Sequence, residues 1–78
     1  MKLKWTDPAI ADRMAIYDYL ASKNPIAAAE IDALISAAAS QLSRNPSSGK
    51  VGRVSGTREW VIHHFYLLIY EVKNDLLI

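Results

Sequence analysis

The sequence predicts an α+β fold: a short N-terminal strand, then an antiparallel helical hairpin packed on a twisted antiparallel β-sheet whose last strand is incomplete. Three observations predict it. Two start signals, Asp7-Pro8 and Asn24-Pro25, each open a stretch with apolar residues at helical spacing. A loop from Asn45 to Thr57 holds all three glycines. Beyond it, Arg58 to His64 and Tyr66 to Val72 read as strands. At 78 residues the chain is a single domain, residues 1–78.

Lys2 to Thr6 alternates polar and apolar, which places Leu3 and Trp5 on one face of a short strand. At the first helix the Asp7 carboxylate can accept from the free N–H groups of the first turn, and Pro8 has no N–H to lose. Ile10, Met14, Tyr17 and Leu20-Ala21 then form one apolar stripe, with Asp12, Arg13, Asp18 and Lys23 largely off it. Asn24-Pro25 restarts the chain into a second helix after a very short turn. Its stripe is Ile31, Leu34, Ile35, Ala38 and Leu42, and Pro46 ends it by disfavouring a helical Asn45. Much of its remaining surface is alanine and serine, with only Glu30, Asp32 and Arg44 charged. Such a face suits tight hairpin packing, or cover by a partner.

In the first long strand Trp60 and Ile62 alternate against Glu59, Val61 and His63. The second, Tyr66 to Tyr70, is apolar on both faces, as in a central strand covered on two sides. A tight connection at His64-Phe65 joins them, and Asn74-Asp75 reads as a two-residue hairpin turn. Leu76-Leu77-Ile78 starts a further strand, for which an exposed edge and self-association through that edge are expected.

Composition removes several function classes. With no cysteine there is no disulfide, no thiolate metal site and no cysteine nucleophile. Nine basic residues against eight acidic ones leave a net charge of +1, too small for a general nucleic-acid coat. The longest apolar run, Phe65 to Tyr70, is far short of the ~20 residues of a membrane helix. The N-terminus has no apolar signal-peptide core, so a cytoplasmic protein with no membrane association is expected.

Few residues invite chemistry. The glycine loop does not match a phosphate-binding motif, since Gly49-Lys50 is followed by Val51 and leads into a sheet. His63 and His64 are adjacent, so in a strand they point to opposite faces, and no metal site or cofactor is expected. Either histidine near a cation is a reasonable general acid or base. The strongest local feature is Lys50, Arg53 and Arg58, +3 over nine positions, with no acid between Ser47 and Glu59. Residues 1–44 hold five basic and five acidic groups by comparison. This cationic lip can contact a phosphate backbone or an acidic protein surface.

The order Trp5-Thr6-Asp7-Pro8-Ala9, Ile16-Tyr17-Asp18-Tyr19-Leu20 and Asn24-Pro25-Ile26-Ala27-Ala28 resembles toxins of the RelE/ParE superfamily. So do Leu42 to Pro46, Gly52-Arg53-Val54-Ser55-Gly56-Thr57-Arg58-Glu59, and Tyr66 to Val72. The resemblance covers nearly the whole chain. It implies the toxin of a type II toxin–antitoxin pair, of the kind called plasmid-stabilisation proteins, held inactive by a cognate antitoxin.

The superfamily divides in mechanism. ParE-like members bind and poison DNA gyrase, and RelE-like members cut mRNA on the ribosome with cationic and tyrosine side chains. Here Leu67 stands where the nucleases carry an arginine, and the His- and Arg-bearing end of their final strand lies beyond Ile78. The resemblance therefore implies a gyrase-binding toxin with Lys50, Arg53 and Arg58 facing the target. The alternative is an endoribonuclease using Arg58, His63 and His64, and a third reading is a shortened, non-toxic antitoxin-binding domain. Ile31, Leu34, Ile35, Trp60, Leu76 and Leu77 are expected to meet the antitoxin.

Overall fold

The fold is that of a computed structural model, which describes residues 2–64, 66–73 and 76–78. Its elements run β1 (Leu3–Lys4), α1 (Asp7–Ala21), α2 (Pro25–Arg44), a 3₁₀ turn (Pro46–Ser48), β2 (Lys50–Val51), β3 (Arg58–His63), β4 (Tyr66–Val72) and β5 (Leu76–Leu77). The α+β architecture is as expected: a helical hairpin lies on one face of a sheet with strand order β1-β5-β4-β3-β2. The antiparallel ladder covers β2 to β5, while β1 pairs parallel to β5.

Both helix starts lie where the prolines placed them, but the caps differ in kind. Asn24 Oδ1 accepts from Ile26 N at 3.1 Å and Ala27 N at 3.2 Å, satisfying two orphan donors of α2. At α1 the cap is Thr6, whose hydroxyl accepts from Ala9 N at 3.3 Å, and Asp7 is already the first helical residue. The hydroxyl is the better-placed acceptor, and the Asp7 charge acts on the N-terminal dipole instead.

The helices bury different amounts. On α2, Ala28, Ile31, Ile35, Ala38, Ala39 and Leu42 are buried at the spacing the sequence predicts, while Leu34 faces out. Of these, Ala38, Ala39 and Leu42 form one cluster with Leu68, Tyr70 and Ile78 from the sheet, with Leu3, Trp5, Trp60 and Ile62 packed around it. Each fully buried aliphatic of this set contributes roughly 1.5–3 kcal/mol. Helix α1 has no buried residue. Of its expected stripe, Ile10, Met14 and Tyr17 are exposed while Leu20 and Ala21 are half-buried, as are Ala9, Arg13 and Ile16. Arg13 decides the rotation. Its Nε donates to Asp32 Oδ1 at 2.7 Å, its Nη2 donates to Ser36 Oγ at 2.6 Å, and its guanidinium lies 5.0 Å from the Trp5 ring.

Strands β3 and β4 are in register from Arg58↔Tyr70 to Val61↔Leu67, with an irregularity between Val61 and His63. The sheet edges are not where the sequence suggested. β5 lies between β4 and β1, so Leu76-Leu77-Ile78 is not an exposed edge. Ile78 N donates to Lys4 O at 2.9 Å and Thr6 N donates to Ile78 O at 2.7 Å. The edges are the two-residue strands β1 and β2, and β2 itself was hidden in the predicted loop. The expected turn at Asn74-Asp75 and the connection at Phe65 lie outside the described residues.

Candidate functional site

The cationic lip is built on the loop between α2 and β3. Tyr70, 1% exposed, sends its hydroxyl up from β4 into the base of this loop. The hydroxyl donates to Pro46 O at 2.6 Å and accepts from Gly49 N at 2.9 Å. A Cβ on Gly49 would sit 2.8 Å from the Tyr70 ring and 2.9 Å from Glu59 O, so only glycine lets the loop come this close. Farther along, Gly52 N donates to Thr57 O at 2.8 Å and Thr57 Oγ1 donates to Val54 O at 2.7 Å. Gly56 turns the chain with φ +84°, a conformation that favours glycine.

The three cations of the lip are not alike. Lys50 and Arg53 are exposed, while Arg58 is half-buried. The Arg58 Nη1 donates to Gly49 O at 2.7 Å and Ser47 O at 3.4 Å, so its charge is committed to the loop's own carbonyls. Glu59 is buried beneath the loop and its Oε2 accepts from Arg53 N at 3.2 Å. Sequence reasoning missed Glu59 and Tyr70 as the supports of the lip. Their signal was weak: one of several polar positions in a strand that also holds Arg58 and His63, and one of four tyrosines.

The residues named for cleavage are not gathered. Arg58 opens β3 and His63 closes it, about 16 Å apart at the usual rise per strand residue. His63 and His64 are exposed, with ring centroids 4.9 Å apart edge to face. Among the described residues, no group of three or more His, Asp or Glu is placed to hold a metal ion.

The residues expected to meet a partner are also divided. Ile31 and Ile35 are buried by their own chain, Leu34 is exposed, and Trp60 is half-buried against the core. Leu76 and Leu77 hold backbone positions inside the sheet, and their side chains lie outside the described residues. Beside α1, Trp5 with Ile10, Met14 and Tyr17 lines an open groove of about 460 Å³ whose polar rim is Arg13, Asp18 and Asp32. Among the described residues no helix is long and apolar enough to cross a membrane.

Comparisons with known proteins agree with this geometry. The chain is 33% identical over 76 residues to "Putative toxin Y4kP" of Sinorhizobium fredii, covering 96% of this chain and 79% of that protein. It is 33% identical over 72 residues to "Toxin RelE2" of Caulobacter vibrioides, covering 92% and 81%. Among solved structures it resembles a chain of the chromosomal ParDE toxin–antitoxin system from P. aeruginosa, with a TM-score of 0.85 and 29% identity over 100% of this chain and 89% of that one. The family model for the ParE toxin of the type II toxin–antitoxin system parDE matches residues 3–78, and the chain belongs to that family, within the RelE/ParE superfamily of toxins.

Proposed function

We propose that this toxin acts by binding DNA gyrase rather than by cutting mRNA. The observation that supports this reading is the state of Arg58. A nuclease needs a cation directed at the reacting phosphate, and the Arg58 guanidinium is held by Ser47 O and Gly49 O. Neither histidine is near enough to share a reacting atom with it. A loop that presents Lys50 and Arg53 to solvent, on a frame fixed by Tyr70 and Glu59, suits recognition of a surface better than proton transfer. No cofactor enters this mechanism, and the site of action is the cytoplasm.

The cognate antitoxin is assigned to the helical side. Leu34 keeps its expected role, and the exposed α1 residues Ile10, Met14 and Tyr17 take the place of the buried Ile31 and Ile35. Purified chain mixed with gyrase and plasmid DNA is expected to accumulate cleaved DNA, and its expression to induce the SOS response. Arrest of translation with gyrase activity unchanged would overturn the reading in favour of the endoribonuclease.

A further inference from the structure

We propose that the sheet face turned away from the helices is the target-docking face, and that it takes a protein segment presenting apolar side chains flanked by carboxylates. The inference rests on the protein-binding reading above and gives it a surface. Register defines the face. Val61 pairs with Leu67, Glu59 with Ile69, and Lys50 with Glu59, so these side chains share one side of the sheet. The alternate residues Trp60, Leu68 and Tyr70 point the other way, into the core beneath α2.

On the outer face Val61, Leu67 and Ile69 are 59%, 43% and 53% exposed. Scattered aliphatics on a surface need no explanation, but three neighbours across two central strands make a patch. Among the described residues, the core cluster lies on the opposite side of the sheet. Their chemistry limits the partner. Aliphatic side chains cannot stack with bases or donate to phosphates, so single-stranded nucleic acid gains little here. A protein segment gains burial.

Charge sets the sign of that segment. Glu59 stands in the middle of the face, but it is buried and its carboxylate accepts from the Arg53 backbone. At the loop end of β4, one step past the Arg58↔Tyr70 pair, Glu71 is already neutralised by Lys73 at 3.3 Å. What the loop side presents is Lys50 and Arg53, both exposed, which favours carboxylates beside the apolar contact.

The test uses the triple variant V61T/L67T/I69T, which keeps good strand propensity while making the patch polar, and the charge variant K50E/R53E. Growth arrest on expression and binding to purified gyrase are both measured, with circular dichroism to verify folding. The expected result is native spectra, loss of growth arrest, and gyrase binding weakened by about tenfold or more in each variant. Variants that arrest growth and bind as the wild type does would overturn the inference and leave the gyrase reading standing. Lost arrest in the variants, with no gyrase binding by the wild type, would keep the docking face and reject gyrase as its target. A wild-type chain without effect on growth would overturn both. Should the triple variant fail to fold, the single change Val61→Lys at the most exposed of the three positions is judged by the same outcomes.

Discussion

At Tyr70 one hydroxyl determines where the cationic loop sits. It is buried, and it both donates to Pro46 O and accepts from Gly49 N. Removing it leaves the buried Gly49 N–H and the part-buried Pro46 carbonyl without this partner, which costs about 1–3 kcal/mol. Tyr70→Phe is therefore expected to lower the urea midpoint without changing the slope of the transition. Gly49→Ala is expected to act on the same contact from the other side, because the new methyl would overlap the Tyr70 ring and the Glu59 carbonyl. A cost of about 1–3 kcal/mol follows, and the double variant should lose less than the sum of the two. At this scale the sequence showed the charges and hid their commitments. Arg58 was legible as a cation, but its acceptors are carbonyls of Ser47 and Gly49, 11 and 9 residues upstream, and no local pattern encodes such a contact.

Among the elements, the helix starts were legible because the cap is a local matter of one side chain and a proline. Their strengths differ by geometry. Asn24 accepts from two backbone N–H groups and Thr6 from one at 3.3 Å. Asn24→Ala is expected to cost about 1 kcal/mol, toward 2 kcal/mol at most, and Thr6→Ala less. In a domain of this size that places the Asn24→Ala melting temperature about 4–8 °C below wild type. Equal shifts in the two variants would contradict the argument. The orientation of α1 was not legible. Periodicity selected Ile10, Met14, Tyr17 and Leu20-Ala21 as the inward stripe, and only the last two are half-buried, since nothing in a spacing count rewards an arginine facing a neighbour. The Arg13 contacts with Asp32, Ser36 and Trp5 reward it, and with them Ile10, Met14 and Tyr17 face outward. Sequence reading thus placed the element correctly and missed the face it offers to a partner.

Over the whole molecule the sheet closes through its most distant segments. β1 pairs with β5 in parallel, Leu3↔Leu76 and Lys4↔Leu77, and Ile78 is tied on both sides of its peptide to Lys4 and Thr6. Such a pairing carries no hairpin turn and no local signature, which is why Leu76-Leu77-Ile78 read as an exposed edge. The energetic consequence is specific. Ile78 is 5% exposed and belongs to the same core cluster as Ala38, Ala39, Leu42, Leu68 and Tyr70. Truncating it to alanine removes buried methylenes and leaves a cavity, at a cost of about 2–5 kcal/mol. For a domain of this size total stability is of the order of 5 kcal/mol, so Ile78→Ala is expected to populate the unfolded chain measurably at 25 °C. The loss should be cooperative: fluorescence from Trp5 and Trp60, one beside β1 and one within β3, should report a single transition at a lowered urea midpoint. If Trp5 were released well before Trp60, the β1–β5 ribbon would be a separate, weaker unit. If neither midpoint moved, Ile78 would have no part in holding the two ends of the chain together.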